Sequence, residues 1–293
     1  MRIIRLFTIL IVSVCNSCIS EINSEVGQDP LKPVINSFFN PKLPIYISVS
    51  TSKSILDTLG NAFVSDASVF LFKDGVYLDS MVYVDTMKVY ITKSLLYPIE
   101  GSTYSVNVKI PGFPDASAES GLPGTVGISY VTLDTAFDAA RNYDTYRLRI
   151  GMNDDASVKN FYQLSVIRSR LDTTGNWSYA YRCFTSDDPV FTSFYKQTCR
   201  GAVFTDELFN GSFRELYINT GTRVRTADKD SLIFAVELRN TSYPYYEYNR
   251  TLSNFLNTKS DIFAQPAPVY TNVQNGFGIF GGFSNDYDSV WVK

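Results

Sequence analysis

The chain has 293 residues, enough for two ordinary domains that each bury a core without help from metals. Charged residues make up 19% against 45% hydrophobic, which excludes wholesale disorder, and 21 Phe with 20 Tyr favour strands, where flat side chains pack well. Lys and Arg number 26 against 29 Asp and Glu; removing a leader that holds Arg2 and Arg5 leaves 24 against 29, a net of −5 that disfavours nucleic acid as a partner.

Arg2 and Arg5 precede the apolar stretch Leu6 to Val14, the charged and hydrophobic regions of an export signal. The stretch is too short to span a bilayer as a helix, which takes ~20 apolar residues. Val14-Cys15-Asn16-Ser17-Cys18 resembles a bacterial lipobox, in which a small residue precedes the cysteine that is acylated. Ser17 suits Cys18, whereas Val14 before Cys15 is bulky and branched. The expectation is a signal peptide over 1–17 and a lipidated, palmitate-bearing Cys18 at the mature N-terminus; the alternative is an ordinary secretory signal with incidental cysteines. At ~0.8 kcal/mol per buried methylene, three acyl chains make attachment effectively permanent. Residues 18–42 are polar and aperiodic and read as a tether.

From Ile45 the pattern becomes strands and turns. Ile45, Ile47 and Val49 share one face, and Ala67 to Met81 reads as a hairpin closed by Asp74-Gly75, since a type I′ turn needs positive φ at both central positions. Met87 to Thr92 and Thr103 to Ile110 add strands, the second stopped by Pro111-Gly112-Phe113-Pro114. The spacing predicts a small immunoglobulin-like β-sandwich over 43–115. Pro111 to Gly127, rich in Pro, Gly, Ser and Ala and without period, reads as a domain boundary.

A second, larger β domain, sandwich or barrel-like, is expected over 126–293. Its strands are Gly127 to Leu133, Tyr146 to Ile150, Phe161 to Ile167, Trp177 to Phe184, Arg214 to Ile218 and Leu232 to Leu238. The last alternates strictly, with Leu232, Phe234, Val236 and Leu238 on one side. Arg147 and Arg149 read as a solvated strand face rather than an anion site. One helix is predicted near 243–257, capped by Ser242 with Pro244 in its first turn, and with Tyr245, Tyr248, Leu252, Phe255 and Leu256 at three- and four-residue spacing. Its tyrosines, Tyr243, Tyr245, Tyr246 and Tyr248, read as rings packed on the sheet, with a sugar- or peptide-stacking surface as the alternative. The fold class is all-β with this one helix.

Gly276, Gly278 and Gly281 have the spacing of a dinucleotide fingerprint, but no βαβ unit surrounds them and only 12 residues follow Gly281. They are expected instead to permit a bulged or tightly packed final strand. Once Cys15 leaves with the signal and Cys18 takes lipid, Cys183 and Cys199 remain. An oxidising compartment would bridge them for about 3 kcal/mol in the chain-entropy model; two separate thiols are the alternative. The chain has no histidine, which removes Ser-His-Asp and Cys-His catalysis and histidine-ligated metals. No cofactor, metal or catalytic residue is expected. Asp187-Asp188 and Asp154-Asp155 are nominal candidates for a carboxylate-based hydrolase and read as solvated charge.

Three stretches carry a family likeness: Ser17-Cys18-Ile19; Phe204-Thr205-Asp206-Glu207-Leu208-Phe209-Asn210-Gly211; and Val269-Tyr270-Thr271-Asn272-Val273-Gln274-Asn275-Gly276-Phe277-Gly278-Ile279-Phe280-Gly281. With the Asp74-Gly75 hairpin, and in this order, they make the chain resemble the Bacteroidota envelope lipoproteins grouped as domain of unknown function 4249. The resemblance implies an outer-membrane, lipid-anchored binding or accessory protein that partners a TonB-dependent transporter in nutrient capture, with an adhesin or structural surface lipoprotein as the alternative. It supplies no catalytic residue and names no ligand. It also implies candidate O-glycosylation at Asp57-Thr58-Leu59, Asp134-Thr135-Ala136 and Asp288-Ser289-Val290.

Overall fold

In a computed structural model, residues 30–53, 62–191, 201–258, 265 and 267–293 are described. The signal peptide, Cys18, Cys199 and Asp57-Thr58-Leu59 lie outside them.

Alternation of apolar and polar residues builds the first half. Strands β1 (Pro33–Phe39), β2 (Tyr46–Thr51), β3 (Ser68–Lys73), β4 (Val76–Val84), β5 (Val89–Thr92), β6 (Thr103–Lys109) and β7 (Ala116–Gly121) enclose one core. Ile45, Ile47 and Val49 all point into it, together with Leu71, Val106 and Val108. The turn between β3 and β4 is the expected one, with Asp74 at φ 50° and Gly75 at φ 79°. Two segments differ from expectation. Pro33–Phe39 falls within the predicted tether, yet it is β1, burying Ile35 and Phe39. The tether therefore ends before Pro33. Ala116–Gly121, read as boundary loop, is β7: Ala116, Ala118 and Ser120 are small enough to sit buried where larger side chains would not fit. Small residues carry little hydrophobic signal, so periodicity missed the strand.

The second half contains β8 (Ile128–Asp138), β9 (Tyr143–Asn153), β10 (Phe161–Leu171), β11 (Trp177–Arg182), β12 (Ala202–Thr205), β13 (Phe213–Arg223), β14 (Leu232–Thr241), helix α1 (Tyr243–Thr258) and β15 (Phe277–Trp291). Sheet β13-β9-β8 faces β11-β10-β14-β15 across a second core that includes Leu148, Ile150, Leu216, Ile218, Leu164 and Val166. All four residues singled out on β14, Leu232, Phe234, Val236 and Leu238, point into this core at 0% exposure. Ser242 accepts the Tyr245 amide at the start of α1, at 3.4 Å.

β15 joins the two halves. Residues 277–282 run parallel to β1, and residues 283–291 run antiparallel to β14. A continuous strand path results, ordered β11-β10-β14-β15-β1-β2-β5-β4-β3-β6-β7. It has two ends and does not close into a barrel, so the architecture is all-β and sandwich-like. The fingerprint glycines serve this junction: a Cβ on Gly276 would lie 2.6 Å from the Pro33 carbonyl oxygen, and Gly278, at φ 107°, sits directly against that of Ile35.

Candidate functional site

The outer face of β11-β10-β14-β15 carries the densest grouping of exposed aromatic and buried charged residues. Strand pairing fixes its membership. Tyr181, Ile167, Ala235 and Ser289 form one row across the four strands, and Tyr179, Ser169, Ile233 and Trp291 form the next. Glu237 pairs with Ser165 and Tyr287, while Arg239 pairs with Gln163 and Asn285. All stand opposite the core residues of the same strands.

At one end α1 covers this face. Tyr245 is buried, its ring 4.7 Å from Phe38 and 5.4 Å from Phe283, and Tyr246 lies 5.0 Å from Phe161. Tyr248 packs on Phe38, whereas Tyr243 stays half exposed. The helix tyrosines thus pack mainly on the sheet. The uncovered part presents Tyr179 (71% exposed), Tyr181, Tyr287 and Trp291, with Trp177 edge-on to Trp291 at 5.7 Å. These two are the only tryptophans in the chain.

Beneath the rings lies a buried ion pair. The Glu237 carboxylate, at 0% exposure, accepts from Arg239 Nε (2.8 Å) and Nη2 (3.0 Å), Asn285 Nδ2 (2.7 Å) and the Tyr287 hydroxyl (2.8 Å). Arg239 Nη1 also donates to Gln163 Oε1 and the Tyr245 hydroxyl, and its guanidinium lies 4.5 Å from the Phe283 ring centre. Burial opposes charge on Glu237, but the Arg239 contact and the Asn285 and Tyr287 donors outweigh it and hold the carboxyl below its ordinary value. Burial, then the bond to Glu237, push the Tyr287 hydroxyl up to about 12, so it remains a neutral donor. Asn285 Oδ1 is buried without a hydrogen-bond partner. Lys42 Nζ donates to the Asn285 carbonyl and lies 5.3 Å from the Tyr287 ring centre. Chemically the face combines stacking surfaces with a pre-oriented polar floor.

Sequence reasoning missed this site because alternation assigned Glu237 and Arg239 to solvent. One signal was present: Ile233 and Ala235 share their side of β14, so that side is not uniformly polar. The residues it did single out fall elsewhere. Cys183 is disulfide-bonded, while Cys199, its expected partner, lies outside the described residues. Asp188 accepts both of its contacts from Arg214 Nη2, at 2.6 and 2.8 Å. Asp154 is held by the Tyr162 hydroxyl, Asn160 Nδ2 and the Gly211 amide, anchoring the turn in Phe204 to Gly211. Arg147 pairs with Asp134 on an exposed strand face, and Arg149 lies 3.8 Å from Glu215 there.

A family model described as a domain of unknown function, DUF4249, matches residues 19–288. A search of curated proteins finds no match to the chain.

Proposed function

We propose, for a chain that belongs to the DUF4249 family, that it is a lipid-anchored envelope binding protein whose aromatic sheet face docks an outer-membrane TonB-dependent transporter. The observation carrying the reading is that face: exposed Tyr and Trp rings over a desolvated charged floor are the composition of interaction hot spots, where aromatic residues and Arg dominate the energetics. The lipobox at Cys18 supports a surface-bound life, and the family resemblance motivates the transporter as partner. Docking rather than turnover is also consistent with the structural bonds that occupy Asp154 and Asp188.

Cys18 and the aromatic face are tested separately. Cys18→Ser is expected to move the full-length protein from the membrane fraction to the soluble fraction. A variant that remains with the membrane, or a native N-terminus without acyl chains by mass spectrometry, overturns the anchor.

With Cys18 intact, gentle detergent extraction followed by affinity capture is expected to recover a TonB-dependent receptor. The double variant Tyr179→Ser/Tyr181→Ser is expected to recover at least about tenfold less of it, with little change in melting temperature because both rings are solvated. Capture of the protein alone, or equal recovery by wild type and variant, sinks the docking assignment. An adhesin would instead lose cell attachment when deleted and yield no receptor. Because both tryptophans stand on this face, intrinsic tryptophan fluorescence reports its occupancy directly.

A further inference from the structure

The inner face of the second sandwich changes character at one end. Along β10, Tyr162, Leu164 and Val166 point into the core, and the next two positions on the same face are Arg168 and Arg170. Arg182 on β11 pairs with Val166 and so stands diagonally beside Arg168 on that face. Arg225 precedes the short 3-10 turn Thr226–Asp228, whose Asp228 is buried.

Asp228 is fully committed: Oδ1 accepts from Arg170 Nη2 at 2.7 Å and Oδ2 from the Tyr146 hydroxyl at 3.1 Å. Arg168, Arg182 and Arg225 make no ion pair among the described residues. The Nε atoms of Arg168 and Arg182 are buried without any hydrogen-bond partner. Burial, then the neighbouring charges of Arg182, Arg170 and Arg225, make the Arg168 guanidinium easier to deprotonate than usual, with only Asp228 acting the other way. Four guanidinium groups against one carboxylate leave a surplus of three positive charges at the mouth of a core. Gathering like charges with orphaned donors in a half-buried site is unfavourable unless a counter-charge joins them.

We propose that Arg168, Arg182 and Arg225, braced by the Arg170–Asp228 pair, form a binding site for a phosphate-type oxyanion. Planar guanidinium forks match the paired oxygens of a phosphoryl group, and fixed Nε–H donors at a partly desolvated site favour a ligand with several acceptor atoms. The phosphoryl group can belong to a small solute or to a lipid headgroup; both present the same chemistry. The site lies on the core-facing side of β10 and β11, opposite the aromatic face, and does not depend on the transporter assignment.

Thermal unfolding of the full chain in non-ionic detergent, with inorganic phosphate titrated against sodium chloride of matched ionic strength, tests the solute. Flotation of the full chain carrying Cys18→Ser with phosphatidylglycerol vesicles, against neutral vesicles, tests the headgroup. Phosphate is expected to raise the melting temperature beyond the chloride control. Arg168→Met and Arg182→Met are each expected to weaken that response at least tenfold in phosphate concentration, while leaving the unliganded protein as stable as wild type or more so, because each removes a repelling charge. Vesicle binding lost in the same variants, without a response to inorganic phosphate, assigns the site to a headgroup. If neither probe acts beyond its control, or both variants respond like wild type, the site does not exist. Marked destabilisation of both unliganded variants would equally overturn it, since the arginines would then already be compensated.

Discussion

Glu237→Ala is expected to lower folding stability by about 3–5 kcal/mol, the cost of leaving the opposite member of a buried ion pair without its partner. The substitution strands Arg239 beneath Phe283 and α1 and removes the acceptor shared by Asn285 and Tyr287. Arg239→Met should cost a similar amount, because it leaves the fully buried carboxylate alone. The double variant Glu237→Leu/Arg239→Met should be more stable than the sum of the two losses predicts, with a coupling of about 1–3 kcal/mol. Urea unfolding of the four proteins measures the cycle. Additivity within about 0.5 kcal/mol would show that the two charges do not depend on each other.

The same carboxylate gives a pH signature. Its folded-state pKa lies below its ordinary value of 4.5. Its stabilising contribution is therefore complete above that ordinary value and is lost as the pH falls through the lower, folded value. Stability of the wild type should decline as acid is added below about pH 4.5, and Glu237→Gln should flatten part of that decline. Identical acid limbs for the two proteins would remove Glu237 from the account.

Gly278→Ala is expected to cost roughly 3–5 kcal/mol, combining a backbone conformation reserved for glycine with overpacking. Gly278 has φ 107° and pairs with Ile35 in the parallel β1–β15 contact. A methyl group there overlaps the Ile35 carbonyl and comes within 2.9 Å of Asn36 Oδ1. Neither strand can retreat cheaply, because β1 is also bonded to β2 and Phe280 is buried two residues further on. Gly175→Ala is the matched control: its φ is 86°, but nothing lies within 4 Å of the added carbon, so only the backbone penalty of about 1–2 kcal/mol applies. Hydrogen exchange should also show the β1 amides losing protection first in the Gly278 variant. Equal losses in the two variants would mean that the close strand approach contributes nothing.

The sequence by itself determined the parts governed by neighbours along the chain. Alternation identified most strands and the core side of β14; Asp74-Gly75 fixed its hairpin through positive φ; Ser242 and Pro244 placed the start of α1. The order of motifs carried the family, which the match over 19–288 bears out. It also pointed to the glycines around 276–281 as packing residues, since their spacing lacked the surroundings a nucleotide loop needs.

Only the tertiary structure decided what depends on distant partners. Pro33–Phe39 becomes a strand because β15, more than 240 positions away, lies beside it. Ala116–Gly121 becomes one because the space beside β6 accepts small side chains. Glu237 and Arg239 follow a polar alternation that reads as solvent-facing, and they are buried because α1 and the final strand bring Tyr245, Asn285 and Tyr287 over them. Whether a charged residue on a strand meets water or a partner is set by what covers the second face of its sheet. Periodicity along one strand carries no record of that cover, so the fold class was legible in the sequence while the candidate site was not.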